Sequence, residues 1–431
     1  MPPIQDHPLR YALANELHAR PFPSLKTPCR AVYLAVKKQV GAVTRDREED
    51  RRHLIALLDR YGTQHPQPGT THFSGQIGQH MLKWEQHTEF VTYTVFMDGV
   101  GDRPFDPADF DVFPDDWLDQ APGFRLTSAL IRVAERPADE AQIDAELQKT
   151  FVQESLAASR VIDDEAVVGT DFRIDPAGQM RFAVYANPGI GARRVGRIVQ
   201  RLCEVETYKA MSMLGFSRVR QISPRMGEID DELTRLMSDM TQSVAQPEQT
   251  LKALLSVSEE LESLSAQMSF RFGATEAYEA LVAQRIQVLR EDRFRGRQSF
   301  REFMARRYDP AMRTVKSARG RLETMSNRAM RAGDLLRTRV EVQRSAQNQQ
   351  LLESMNQRAD LQLRLQKTVE GLSVVAISYY AVSLAGYVLY PLSGVTGLSK
   401  GMITAMVTPV VVLAVWLMIR RIHHKIEKDG H

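Results

Sequence analysis

Cysteine is scarce in this chain of 431 residues, which contains only Cys29 and Cys203. The two lie far apart and form no CxxC pair, and the residues after Met1 do not resemble a basic, apolar, cleavable signal. These features favour a reducing, cytosolic setting for the bulk of the chain. We interpret each cysteine as a small core residue.

Signatures of catalytic and nucleotide-binding sites are also missing. The stretch NPGIGARRVGR has glycines before a helix, and Arg193 and Arg194 in its first turn suit an anion. It nevertheless matches neither a P-loop nor a dinucleotide fingerprint. No Ser-His-Asp or Cys-His pattern is present, so we assign no catalytic residue and no cofactor. An enzyme is neither assigned nor excluded, and a non-enzymatic role is favoured.

No metal site is predicted, although two stretches contain suitable side chains. The spacing of seven to eight residues between the histidines does not match compact zinc ligand pairs. The acidic stretch 98–117 lacks the full ligand pattern of a calcium loop and is interpreted as a surface loop. The histidines concerned are His65, His72, His80 and His87.

Long hydrophobic runs are absent until the C-terminal end of the chain. Residues 372–392 and 402–419 carry no charge and are each long enough to span a bilayer as a helix. Arg364 and Lys367 precede the first run, and Arg420 and Arg421 follow the second, so the positive-inside rule places both ends in the cytoplasm. We therefore expect a protein of the inner (cytoplasmic) membrane that contacts the lipid bilayer.

The N-terminal half mixes strand and helix patterns. CRAVYLAVKK reads as a strand, and QHMLKWEQHTEFVTYTVFMDG and EAVVGTDFRIDPAGQMRFAVYAN read as hairpins, with helical spacing between them. This predicts an α/β or α+β cytosolic domain over residues 1–224, with its boundary at Pro224.

Helical patterns alone follow this domain. The predicted parts are a helical bundle and stalk over residues 225–370, a two-helix transmembrane hairpin over 371–419 and a basic cytosolic tail over 420–431. Asp309 and Pro310 form a strong helix start, and the next proline is Pro391, so one helix of roughly 80 residues is expected to enter the membrane. Its apolar stripe predicts coiled-coil association or bundling. The arginine-rich stretch 290–310 is interpreted as a stalk face, and no nucleic acid is expected as a partner.

Polar residues in the first apolar run fall on one helical face. Since lipid offers no hydrogen-bond partner, this face suits either a helix interface or a ring of hydroxyl groups around a pore. The pore-lining candidates are Ser373, Tyr380, Ser383, Tyr387 and Tyr390.

The N-terminal stretch NELHARPF contributes a second candidate group, Asn15, Glu16, His18 and Arg20. These side chains suit acid-base chemistry or anion binding, whereas the more ordinary reading is an N-terminal arm that docks through Arg20 and Phe22. HPLRYALANELHARPFPSL, together with LKWEQHTEF and the C-terminal pair of spans, resembles a bacterial family of uncharacterised membrane-anchored proteins, the domain of unknown function 3422.

The arrangement of parts is also similar to CorA-type metal-ion channels, in which the first span of a pentamer lines the pore. This likeness implies a homo-oligomer, a pentamer by analogy, that transports or senses an ion. Residues 386–391 read GYVLYP where such channels carry Gly-Met-Asn. The alternative is a membrane-tethered scaffold or ligand-binding protein whose spans only anchor it.

Overall fold

The structure is a computed structural model that describes residues 4–16, 22–241, 247–389, 391 and 399–429. The chain divides into two compact units, Met1–Gly333 and Asp334–His431.

The first unit is built on a mixed sheet of nine strands in the order β2-β3-β4-β1-β5-β8-β7-β6-β9. All neighbouring pairs are antiparallel except β5 and β8, which run parallel. The predicted strand and both predicted hairpins are confirmed as β1, β3–β4 and β7–β8. The strands are β1 Cys29–Lys37, β2 His72–Ile77, β3 His80–Gln86, β4 Phe90–Asp98, β5 Phe124–Glu135, β6 Ala157–Val161, β7 Ala166–Thr170, β8 Met180–Ala186 and β9 Asp292–Arg293.

Shorter helices accompany the strands. A 3₁₀ turn at Pro107–Val112 precedes α3, and the carboxylate of Asp106 caps it by accepting from the Ala108 backbone amide. The helices are α1 Arg10–Glu16, α2 Arg47–Arg60, α3 Asp115–Leu118, α4 Glu140–Thr150 and α7 Phe300–Arg307.

Both faces of the central strands are buried. On β1, Val32, Leu34 and Val36 pack with α2 and with Trp117 of α3. The alternate residues of β1 belong to the core beneath the long helix α5 Ala192–Thr241. A strand that is covered on both sides reads as a nearly continuous apolar run, which is why CRAVYLAVKK was recognisable from sequence.

Three long helices form the second core of this unit. They are α5, α6 Pro247–Gln287 and the first part of α8 Asp309–Leu389. Arg225 of α5 pairs with Glu260 of α6, and Arg321 of α8 pairs with Asp230 of α5. These two ion pairs join the three helices within one chain. Helix α5 runs through Pro224, the residue at which the sequence placed a boundary.

The second unit contains the rest of α8 and helix α9 Lys400–Asp429. The single helix Asp309–Leu389 has 81 residues, as the spacing of its prolines predicted. Two helices of the chain are long and apolar enough to cross a membrane, α8 through its C-terminal part and α9 through Lys400–Ile422.

Candidate functional site

A polar cavity lies on the α5 side of the sheet in the first unit. Strand alternation creates it, because Lys83 of β3 stands opposite Thr94 of β4, which in turn stands opposite Tyr33 of β1. The same face of β1 and β5 is apolar further along, where α5 covers it. The cavity has a volume of about 360 Å³. The residues that line it include Phe22, Lys83, Glu85, His87, Phe90, Thr92, Thr94, Phe96, Gln200, Arg201, Cys203, Glu204, Tyr208 and Arg285.

A chain of charged and amide groups crosses this cavity. The Lys83 ammonium donates to Gln200 Oε1 at 2.9 Å and lies 3.2 Å from Glu85 Oε2. Gln200 Nε2 donates to Glu204 Oε1 at 2.8 Å, and the Arg285 guanidinium donates to the other oxygen of Glu204. Each of these four charged side chains thus has a partner of opposite sign, which offsets much of the cost of burying it.

Three polar groups keep unused hydrogen-bonding capacity towards the cavity. Thr92 and Thr94 are 4% and 6% exposed, and within the described part of the chain their hydroxyl groups have no hydrogen-bond partner. The Lys83 ammonium has three N–H donors, of which two face Gln200 and Glu85. The cavity can therefore offer donors to a ligand that brings acceptors.

Positive charge is in excess at this cavity. Lys83, Arg201 and Arg285 line it with two carboxylates, Glu85 and Glu204. Burial lowers the pKa of the Arg201 guanidinium, and the neighbouring cations Arg197, Arg285 and Arg290 lower it further. Arg201 Nη1 donates to the backbone oxygen of Val288 at 3.0 Å, which fixes the guanidinium in place. An anion near Arg201 would relieve the repulsion among these cations.

Neither cysteine is suited to act as a nucleophile. Cys203 lines the cavity, but burial raises the pKa of its thiol far above the physiological range, with Glu204 adding to the shift. Burial likewise raises the pKa of Cys29 to about 12. Both thiols therefore stay protonated at neutral pH and lack the thiolate that nucleophilic attack requires.

A second cavity of about 580 Å³ adjoins the first and shares Phe22, Lys83 and Phe96 with it. The segment after NELHARPF forms its wall. The Leu25 backbone amide donates to Ala192 O at 3.0 Å. The segment also passes so close to α5 that a Cβ on Gly196 would lie 1.7 Å from Pro23 O. Glycine at position 196 is therefore what permits this contact.

The predicted N-terminal group is described only in part. Asn15 and Glu16 end α1, and the structure does not describe their side chains; His18 and Arg20 lie outside the described residues. Phe22, the first described residue after the motif, lines both cavities. Lys83, Glu85, His87 and Phe90 come from LKWEQHTEF, so both segments that carry the family resemblance contribute to the cavities. From sequence, His87 was considered as a zinc ligand and set aside because of its spacing, and the other three residues were assigned no role.

The predicted pore-lining residues lie on α8 in the second unit, except Tyr390, which falls outside the described residues. Tyr380 and Tyr387 are 69% and 77% exposed. Ser373 Oγ donates to Val369 O at 2.8 Å and Ser383 Oγ donates to Tyr379 O at 2.9 Å, so each serine hydroxyl bonds the preceding turn of its own helix. Tyr380 and Tyr387 are thus exposed on the surface of α8, whereas the two serine hydroxyls are occupied by their own helix.

The predicted histidine and carboxylate stretches serve other contacts. Asp109 pairs with Arg30, Asp116 pairs with Arg60, and His65 pairs with Asp59. Across the residues that the structure describes, no group of three or more His, Cys, Asp or Glu side chains is arranged to hold a metal ion.

Comparison with known protein families places the chain in one of them. No curated protein matches the sequence. A family model described as "Protein of unknown function (DUF3422)" matches residues 5–426, nearly the whole length. The chain belongs to this family, DUF3422.

Proposed function

We propose that the protein is a membrane-anchored binding protein whose first unit holds a small organic anion in the cavity around Lys83. The observation that carries this proposal is the pair of threonine hydroxyls, on Thr92 and Thr94, that line the cavity beside the Lys83 ammonium and have no hydrogen-bond partner in the described part of the chain. Each hydroxyl can donate a hydrogen bond to a molecule that enters the cavity. A ligand with acceptor atoms would satisfy them.

The chemistry of the lining defines the ligand class. A carboxylate or phosphate would accept from Lys83, Thr92 and Thr94, and it would be attracted by the excess positive charge near Arg201. Phe90, Phe96 and Tyr208 offer apolar and aromatic surface to the rest of the molecule. The volume of about 360 Å³ lies within the usual range for metabolite pockets, roughly 300–1,000 Å³.

In this proposal the two apolar helices anchor the protein in the bacterial inner membrane. Arg364 and Lys367 precede the first span, and Arg420 and Arg421 follow the second. Basic residues at both outer ends favour a hairpin with both chain ends in the cytoplasm, where the cavity would sample cytosolic metabolites.

The test uses the full chain purified in detergent, with benzoate, hexanoate and inorganic phosphate as probes in titration calorimetry. We expect at least one probe to bind, and Thr94→Val to weaken its affinity about tenfold by removing one donor. Because valine has the shape of threonine and the lost hydroxyl has no partner, the empty variant should be as stable as the parent, or more stable by up to about 1 kcal/mol.

Thr127→Val is the matched control. Thr127 Oγ1 donates to Glu206 Oε1 at 3.0 Å, and Thr127 does not line the cavity. This variant should lose stability and keep its affinity for the probe. Absence of binding by all three probes to the folded parent would show that the ligand class is wrong, and equal affinities of parent and Thr94→Val would place the site elsewhere.

The exposed hydroxyl stripe of α8 favours a second candidate function, an ion pathway formed by several copies of the chain. Tyr380→Phe removes one hydroxyl from the stripe, whereas Tyr379→Phe removes one about 100° around the same helix. Flux of K⁺, Mg²⁺ and Cl⁻ into liposomes should then fall for the first variant alone. Liposomes with no flux above the lipid background would exclude this candidate.

A further inference from the structure

The part of α8 in the second unit carries an exposed apolar face outside the apolar span. Leu352, Met355 and Val369 are 60%, 58% and 54% exposed. The opposite face is mostly polar: besides Leu361 it carries Glu353, Ser354, Gln357, Asp360, Arg364, Lys367 and Thr368. An amphipathic helix of this kind is stable in water when another surface covers its apolar face.

The spacing on this face has the period of a coiled coil. Steps of three and four residues alternate without interruption for about five heptads. An ideal straight α-helix drifts about 20° per heptad from such a repeat, so keeping it requires helices that supercoil around each other. The residues of this seam are Leu352, Met355, Ala359, Gln362, Gln366, Val369, Ser373, Ala376, Tyr380, Ser383 and Tyr387.

The seam continues from the polar part of α8 into its apolar span. Ser373, Tyr380, Ser383 and Tyr387 occupy the same heptad positions as Leu352 and Met355. Ser373 and Ser383 already donate to their own helix, but hydrocarbon offers no hydrogen-bond partner to the hydroxyls of Tyr380 and Tyr387, which therefore favour contact with protein. Ser378, the buried residue of this span, lies about 140° around the helix from Ser373, so the face buried within the unit is not the seam.

We propose that residues 352–387 form a parallel, in-register coiled coil with the same residues of a second copy of the chain. The partner must present a helix that crosses the same boundary from water to lipid in the same direction. A second copy anchored in the same membrane does so, and it brings Tyr380 beside Tyr380 and Gln362 beside Gln362. Polar residues at seam positions specify register in this way. The inference does not depend on the cavity or its ligand.

Single cysteines test this interface in native membranes, with copper(II) phenanthroline as the oxidant that accepts the electrons of disulfide formation. Met355→Cys and Tyr380→Cys place thiols on the seam, outside and inside the apolar span. Gln357→Cys and Val375→Cys are their matched controls, because both are exposed and lie on other faces of α8. The native cysteines are buried, so the parent chain serves as the background.

We expect both seam variants to give at least fivefold more disulfide-linked dimer on non-reducing gels than their controls. Equal cross-linking of seam and control positions would indicate random collision and overturn the proposal. The mass of the parent chain in detergent, measured by light scattering, is an independent check that no substitution affects. A mass of one chain together with no seam cross-linking would also overturn it.

Discussion

The two units of this protein differ in which side chains they bury and which they expose. In Met1–Gly333 the buried charges are joined in pairs, as with Arg45 and Asp50 at 2.8 Å, and two apolar layers cover the central strands of the sheet. In Asp334–His431 the long helix exposes leucines and tyrosines along its length. The first unit covers its apolar side chains with its own residues, whereas the second exposes many of them, which lipid and another copy of the chain would cover in the proposals above.

Tryptophan substitutions should give the largest difference between the units. Trp117 is fully buried, stacks on His53 at 4.0 Å between ring centroids and donates from Nε1 to His53 O at 2.8 Å. Trp117→Ala should cost about 3–5 kcal/mol of the free energy of unfolding. Trp416 of α9 is 47% exposed, so Trp416→Ala should leave that free energy within about 0.5 kcal/mol.

Denaturant unfolding followed by near-ultraviolet circular dichroism measures both tryptophan variants. Equal losses would mean that α9 contributes to the stability of the first unit, and the contrast between the units would fail.

The pH dependence of stability should come next in size and belong to the first unit. His53 Nε2 donates to Trp117 O at 3.0 Å, and Nδ1 lies 2.8 Å from Tyr93 OH, from which a neutral ring accepts a hydrogen bond. Burial lowers the pKa of His53 to about 4, although its bond to Trp117 opposes the shift. The unfolded chain binds this proton below about pH 6.5 and the folded chain only below about 4.

His53 should therefore contribute on the order of 3 kcal/mol above pH 6.5, and this contribution should disappear as the pH falls through about 4. Unfolding free energies measured from pH 4 to 7.5 test the slope. His53→Gln should flatten it, and His65→Gln, at an exposed position, should not. A parent protein whose stability is constant over this range would contradict the assignment of a buried neutral imidazole.

The smallest effect is expected at the charged surface of the helical core. Arg225 and Glu260 form a bidentate pair across α5 and α6, with both side chains about one-third exposed or more. Solvent screening limits such pairs to about 0–1 kcal/mol, so Glu260→Gln should cost less than about 1 kcal/mol and less still in 1 M salt. A loss as large as that of Trp117→Ala would show that the helices rely on charge instead of their apolar core.

Local patterns made much of the fold predictable. The β1 strand follows from its nearly continuous apolar run, and the β3–β4 hairpin follows from alternation and turn residues. The 81-residue helix follows from the absence of proline along it. Pro224 suggested a boundary, yet α5 continues through it. Proline has no amide to bond the backbone carbonyl one turn earlier, but this face of α5 is exposed, so water can bond that carbonyl instead.

The cavity was not predictable, since it depends on contacts between distant segments. Lys83 and Glu85 occur in LKWEQHTEF, and alternation alone places them on one face of β3. That this face lines a cavity depends on the pairing of β4 with β1 and on the packing of α5 against the sheet. Gln200, Glu204 and Arg285 meet them from two helices more than 100 residues away in sequence. Only the strand alternation on β3 and β4 offered a signal.

The short strand β9 limits where the chain can be truncated without exposing a strand edge. Its two residues, Asp292 and Arg293, follow α6 and pair with Arg160 and Ser159 on the outer edge of β6. Nearby, the Ala158 amide donates to Gln298 O at 2.9 Å. A fragment that stops after β8, or after α6, would leave the outer edge of β6 unpaired, and such edges recruit other strands. Soluble production of the first unit should therefore retain the chain through Gly333.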